Sequence, residues 1–230
     1  MKPHLKLAET TTPDGARLTL HEHDGAFAVR LNGQALMDST VATSELQIGE
    51  LATDRFPRFG KSRVLIGGLG LGFTLRSALE GVGPHGVVEV MELLPAIVDW
   101  NRTHLQALNG RLLADKRVTV RVGDVWGALT RGGAARYDAI VLDTDNGPVA
   151  MVQRQNARLY DAAGIGQVFT ALKAGWRAVI WSAAHDRAYA ARLTKAGFTV
   201  AVVQAKLHAM AKRAAYTLYV ADKPPAGVKS

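Results

Sequence analysis

Apolar and polar positions alternate or cluster through the first sixty residues, and the pattern breaks at three dipeptides, Asp14-Gly15, Asp24-Gly25 and Asn32-Gly33. Such pairs supply the positive φ angles of tight turns between strands, so this stretch predicts a small sheet of hairpins with Leu18, Leu20 and the run Phe27–Leu31 half-buried. From Ser39 to Leu51 the spacing changes toward a helix, with Val41, Leu46 and Leu51 among polar residues, and Pro57 breaks the chain before Lys61. The expected units are therefore a β-hairpin unit at 1–58, a larger one at 59–222, and a tail at 223–230 that Pro224-Pro225 and Gly227 mark as frayed.

Beyond Lys61 a short apolar run, a turn and an amphipathic stretch repeat in kind, the alternation of an α/β fold with a parallel sheet flanked by helices. Strands are expected at Arg63–Gly67, Gly86–Met91, Val118–Val122, Ala139–Asp143, Arg177–Trp181, Thr199–Ala205 and Tyr216–Ala221. The last two follow each other with no helical interval. They are joined by the basic segment Lys206–Ala215, which predicts an antiparallel hairpin closing a mostly parallel seven-stranded sheet.

Four segments carry candidate chemistry. The run Val64–Thr74 leads a strand through Gly68, Gly70 and Gly72 into a helix, where backbone can approach a ligand and the helix start offers free N–H groups. Its spacing departs from the dinucleotide fingerprint, because Phe73 stands where the third glycine would fall. Glu92 ends the second strand, placed to accept from ribose hydroxyls. Glu89, within the strand, is its rival. Asp124 follows the third strand, with Val125 beginning a helical turn; it can accept the exocyclic amine of adenine or simply cap the helix. The fourth strand ends in Asp143-Thr144-Asp145-Asn146, at the edge where open α/β sheets bind ligands. Asp143 can serve there as a general base, although an Asp/Asn/Gly/Pro turn also accounts for the composition.

Composition narrows the classes. With no cysteine among 230 residues, disulfides, thiolate metal sites and thiol nucleophiles are excluded. The histidines are dispersed without ligand spacing, so no metal is expected; His185 and Trp181 lie near the pocket end, and Tyr160 is a pocket candidate that equally suits a core. No apolar run approaches a membrane span and no export signal is apparent, which makes the cytoplasm the expected location. The net charge of +8 is C-terminal, with twelve basic against three acidic side chains in residues 151–230. That third suits an acidic small-molecule acceptor, and it leaves nucleic acid open as a partner.

Taken in order, VLIGGLGLGFTLR, VVEVMELLPAIV, VGDVWGAL and YDAIVLDTDNGP resemble the spermidine synthase-like branch of the class I S-adenosylmethionine (SAM) dependent transferases. LTLHEHDGAFAVRLNGQALMDS likewise resembles the small β-domain that precedes the catalytic domain there. The resemblance implies a Rossmann-like class I methyltransferase fold, a homodimer, and a nucleoside bound by the glycine loop, Glu92 and Asp124–Val125. It also implies Asp143 as the base and an acceptor pocket from Asp145, Asn146, Tyr160 and Glu45, since the family's Tyr-His-Glu segment falls on Glu45-Leu46-Gln47. One departure matters most: the acid that holds the aminopropyl amine in the family is here Leu71. The expected function is therefore methyl transfer from SAM to a small nucleophile, with aminopropyl transfer from decarboxylated SAM as the alternative and an RNA-directed SAM enzyme or nucleic-acid binder as a further one.

Overall fold

The computed structural model describes residues 4–144, 157–208, 210–211 and 213–227. Strands β1 (Leu5–Thr11), β2 (Arg17–His23), β3 (Ala26–Leu31) and β4 (Gln34–Asp38) pair in sequence order as an antiparallel meander. Asp24, Gly25, Asn32 and Gly33 all have positive φ, as two-residue hairpin turns require. Alternation buries Leu18, Leu20, Phe27 and Val29. The Asp38 carboxylate then accepts from the Thr40 amide, capping a short turn that leads into helix α1 (Thr43–Thr53).

The larger sheet comprises β5 (Arg63–Gly67), β6 (Val87–Glu92), β7 (Val118–Val122), β8 (Tyr137–Leu142), β9 (Leu172–Ser182), β10 (Thr199–Lys206) and β11 (Ala214–Asp222). Their order is β10-β11-β9-β8-β5-β6-β7, with β11 antiparallel to both its neighbours and the other pairings parallel. This is the expected Rossmann-like sheet with its antiparallel terminal hairpin. All six residues of the central β8 are buried, which is why it reads as an unbroken apolar run. Strand β9 starts five residues earlier than the pattern suggests. Gly175, at φ +83°, and the partly exposed residues around it interrupt the apolar signal while the strand continues.

Helices α2 (Phe73–Gly81), α3 (Pro95–Thr103), α4 (Gln106–Asn109), α5 (Val125–Thr130), α6 (Ala157–Tyr160), α7 (Ala162–Ala171) and α8 (Arg187–Lys195) fill the connections. One apolar cluster joins Leu18, Leu20 and Val29 of the small sheet to Ile48 of α1 and to Ile66, Leu75 and Val90; a second lies around Leu65, Tyr137, Ile140 and Tyr219. Helix α1, on the N-terminal side of the expected boundary, is thus part of the larger core. Buried Arg177 of β9 fastens it, donating to Asp222 at 2.8 Å, to Asp54 at 3.0 Å and to the Leu51 carbonyl at 2.9 Å. Among the described residues no helix is long and apolar enough to cross a membrane.

Candidate active site

The strand order reverses between β5 and β8, the position where open sheets form a crevice beyond their carboxyl ends. The glycine turn leaves β5 at that point. Gly68, Gly70 and Gly72 have φ of +98°, +51° and +89°, which side chains rarely tolerate. A Cβ on Gly68 would stand 1.9 Å from the Asp143 carbonyl oxygen, so this residue lets the loop press against the end of β8. Two carboxamides hold the loop from behind: Asn101 of α3 donates to the Gly70 carbonyl at 2.8 Å, and Asn109 of α4 donates to that of Leu71.

Glu92 closes the other side. Only 7% exposed, it accepts from the Leu69 amide at 2.8 Å on one oxygen and from the Leu94 amide at 2.8 Å on the other. Burial raises its pKa, and these amide contacts oppose the rise. The amides of Gly70 and Leu93 act on it in the same sense, so the carboxylate tethers the glycine loop at the strand's exit. Its rival Glu89 is committed elsewhere, accepting from the Tyr137 hydroxyl at 3.0 Å among Arg63, Arg121 and Arg136. Asp124 caps α5 through the Trp126 amide at 2.8 Å and pairs with Arg158, whose guanidinium also stacks over Trp126. Val125 is buried against Gly67. The main chain of Gly123 donates to the Glu92 carbonyl at 2.8 Å, which brings Glu92 and Asp124 to one edge.

Asp143 and Glu45 line one cavity. It holds about 20 Å³, room for roughly one water, and its walls are Met37, Glu45, Leu69, Gly70, Leu71, Phe73, Thr74 and Asp143. No basic side chain lines it among the described residues. Thr74 Oγ1 lies 2.5 Å from Asp143 Oδ2, and Ser44 Oγ donates to Glu45 Oε2 at 2.5 Å while accepting from Trp181 Nε1 at 3.3 Å. Burial, then the negative charge of Glu45, pushes the Asp143 carboxyl up to about 7, against the opposing bond from Thr74. Burial raises Glu45 as well, opposed by Ser44. Two acids in one small site resist ionising together, and a carboxyl titrating near neutrality is poised to take a proton.

Tyr160 is buried in the second apolar cluster, with its hydroxyl 2.6 Å from Thr144 and its ring against Tyr189. It does not line the cavity. Trp181 is half-buried against Tyr216, and His185 is exposed beside the Tyr219 ring. Asp145 and Asn146 lie outside the described residues. No group of three metal-ligating side chains occurs among the described residues. Met37, Ser44, Thr74, Asn101 and Asn109 carry no site role in the sequence analysis. Each acts across a long separation that no local pattern marks.

No protein-family model matches the chain, and no curated protein matches it. Solved structures do. A spermidine synthase from Thermotoga maritima superimposes with a TM-score of 0.73 at 16% identity, covering 94% of this chain and 72% of that one. A spermidine synthase in complex with the transition state analogue AdoDATO gives 0.72 at 15% identity, over 94% and 71%. A probable spermidine synthase from Corynebacterium glutamicum ATCC 13032 gives 0.68 at 14%, over 96% and 81%. The fold, including the N-terminal β-domain, is therefore the one these structures share.

Proposed function

We propose that this chain is a transferase that moves an alkyl group from an adenosyl sulfonium donor to an amine. The observation that carries the reading is the half-buried pair of Asp143 and Glu45 in a cavity that, among the described residues, has no basic side chain. Such a pair attracts a cationic amine and can take its proton. The glycine turn, Glu92 and Asp124 would hold the donor's nucleoside. The sulfonium, when bound, supplies an electrophilic carbon and a good leaving group, so the protein's contribution is proximity and orientation. Asp143 accepts the proton that the nitrogen loses, and Glu45 keeps the site anionic.

Likeness of fold to spermidine synthases favours aminopropyl transfer from decarboxylated SAM over the methyl transfer first expected from the motifs. Leu71 supports methyl transfer as a second reading, because this buried apolar side chain lines the cavity where an acid is needed to hold an aminopropyl amine. An RNA-directed role draws on the basic C-terminal third alone. There Arg158, Lys173, Arg177 and Arg192 are already paired with acids, and an acidic cavity repels a phosphodiester.

Calorimetry with SAM, decarboxylated SAM and S-adenosylhomocysteine, with Glu92→Ala as control, tests the assignment. Tightest binding of decarboxylated SAM, followed by mass-spectrometric detection of an aminopropylated diamine, supports the first reading. Preference for SAM or S-adenosylhomocysteine supports methyl transfer, and no binding of any of the three refutes both. The homodimer is a further proposal, which sedimentation equilibrium tests directly.

A further inference from the structure

Two hydroxyls of α2 clasp α1. Thr74 Oγ1 lies 3.1 Å from the Glu45 carbonyl oxygen, and Ser77 Oγ donates to that of Leu46 at 2.6 Å. The helices come this close because Gly49 of α1 has no Cβ; one would stand 2.7 Å from the Thr74 carbonyl oxygen and 2.8 Å from the Ala78 amide. Thr74 makes a contact that Ser77 does not: its Oγ1 is also 2.5 Å from Asp143 Oδ2.

A hydroxyl has one proton to give. The Glu45 carbonyl can only accept, so both contacts are hydrogen bonds at once only while Asp143 carries a proton and donates it to Thr74. When Asp143 is ionised, the Thr74 proton turns toward the carboxylate and the carbonyl contact lapses. We infer that Thr74 is the positioning residue of the acid pair, a hydroxyl rotor that holds Asp143 in either protonation state and ties it to the helix bearing Glu45. Its kinetic consequence rests on the proposed transfer reaction, whereas the titration it controls does not.

Among the described residues, few groups face Asp143. Glu45 approaches from α1 and Thr74 from α2. The turn after β5 brings Leu69, whose amide is held by Glu92. Among the described residues, Glu45 is the charged group that acts on Asp143.

The test is a ¹³C-carboxyl NMR titration of the full chain, with the Asp143 signal assigned by Asp143→Asn, in the parent and in Thr74→Val, Thr74→Ser and Ser77→Ala. Thr74 donates to the ionised form, so Thr74→Val moves the Asp143 midpoint upward by about one pH unit. Thr74→Ser brings it back near the parent. Ser77→Ala loses the same clasp one turn farther on and leaves the midpoint in place. Where transfer is measurable, the rising limb of kcat moves with the midpoint, making Thr74→Val about fivefold slower at pH 7. If Thr74→Val does not fold, Thr74→Ala replaces it with no branched bulk. An unmoved midpoint, or an equal shift in Ser77→Ala, overturns the inference. A shifted midpoint in a chain that transfers nothing refutes the proposed function and leaves the inference standing.

Discussion

Replacing Asp143 with Asn should make the protein more stable, and only above acidic pH. Burial and Glu45 raise this carboxyl from 3.8 to about 7, so between those values the folded state keeps a proton that the unfolded chain releases. Stability therefore falls as pH rises through the interval, by about 1.4 kcal/mol per unit, or about 4 kcal/mol in full. Part of the Asp143 surface meets water, which trims the expected figure to roughly 2–4 kcal/mol. Asparagine matches the neutral acid in shape and can still bond to Thr74. Urea unfolding of both proteins at pH 4, 6 and 8 should give near-equal stabilities at pH 4 and a gap that opens through pH 6 to its full size at pH 8. A gap of constant size, or a less stable variant at pH 8, would refute the placement of this acid in a shared, poorly solvated site.

Glu92→Gln sets an NH2 against the backbone amides, those of Leu69 and Leu94 among them, that the carboxylate now accepts from. It should cost about 2–3 kcal/mol in urea unfolding and weaken adenosyl nucleoside binding at least tenfold by calorimetry. Gly68→Ala forces a Cβ to 1.9 Å from the Asp143 carbonyl oxygen at a φ of +98°. A loss on the order of 3 kcal/mol is expected, and a variant within 0.5 kcal/mol of the parent (about the scatter of a surface change) would contradict the close approach. Arg177→Met leaves Asp222, Asp54 and the Leu51 carbonyl without their shared donor, and thermal unfolding should report about 3–5 kcal/mol lost.

Where burial and spacing are local, the sequence carries the structure. The unbroken run at β8, the turn pairs Asp24-Gly25 and Asn32-Gly33, and the glycine turn after β5 all fall where their patterns place them. Position alone also separates Glu92, at the strand's exit on the glycine turn, from Glu89, drawn into a cluster of arginines. Glu45 entered only through resemblance, since one acid in a short helix has no periodic signature. Thr74 and Ser44 carried no signal. Thr74 meets Asp143 across 69 residues and Ser44 meets Trp181 across 137, so only the folded chain brings them together. The early start of β9 was hidden by Gly175, because strand hydrogen bonding survives a residue that hydrophobic alternation does not.

Helix α1 gives the chain an inheritance that its topology conceals. A fragment trimmed to the Rossmann-like unit at 59–222 would keep the whole large sheet and the glycine loop, yet lose Glu45 and Met37 from the cavity and Asp54 from Arg177. The small N-terminal sheet and its helix are thus not a module that recombination could exchange freely. Any relative with a different N-terminal sheet and first helix must rebuild half of the acid pair.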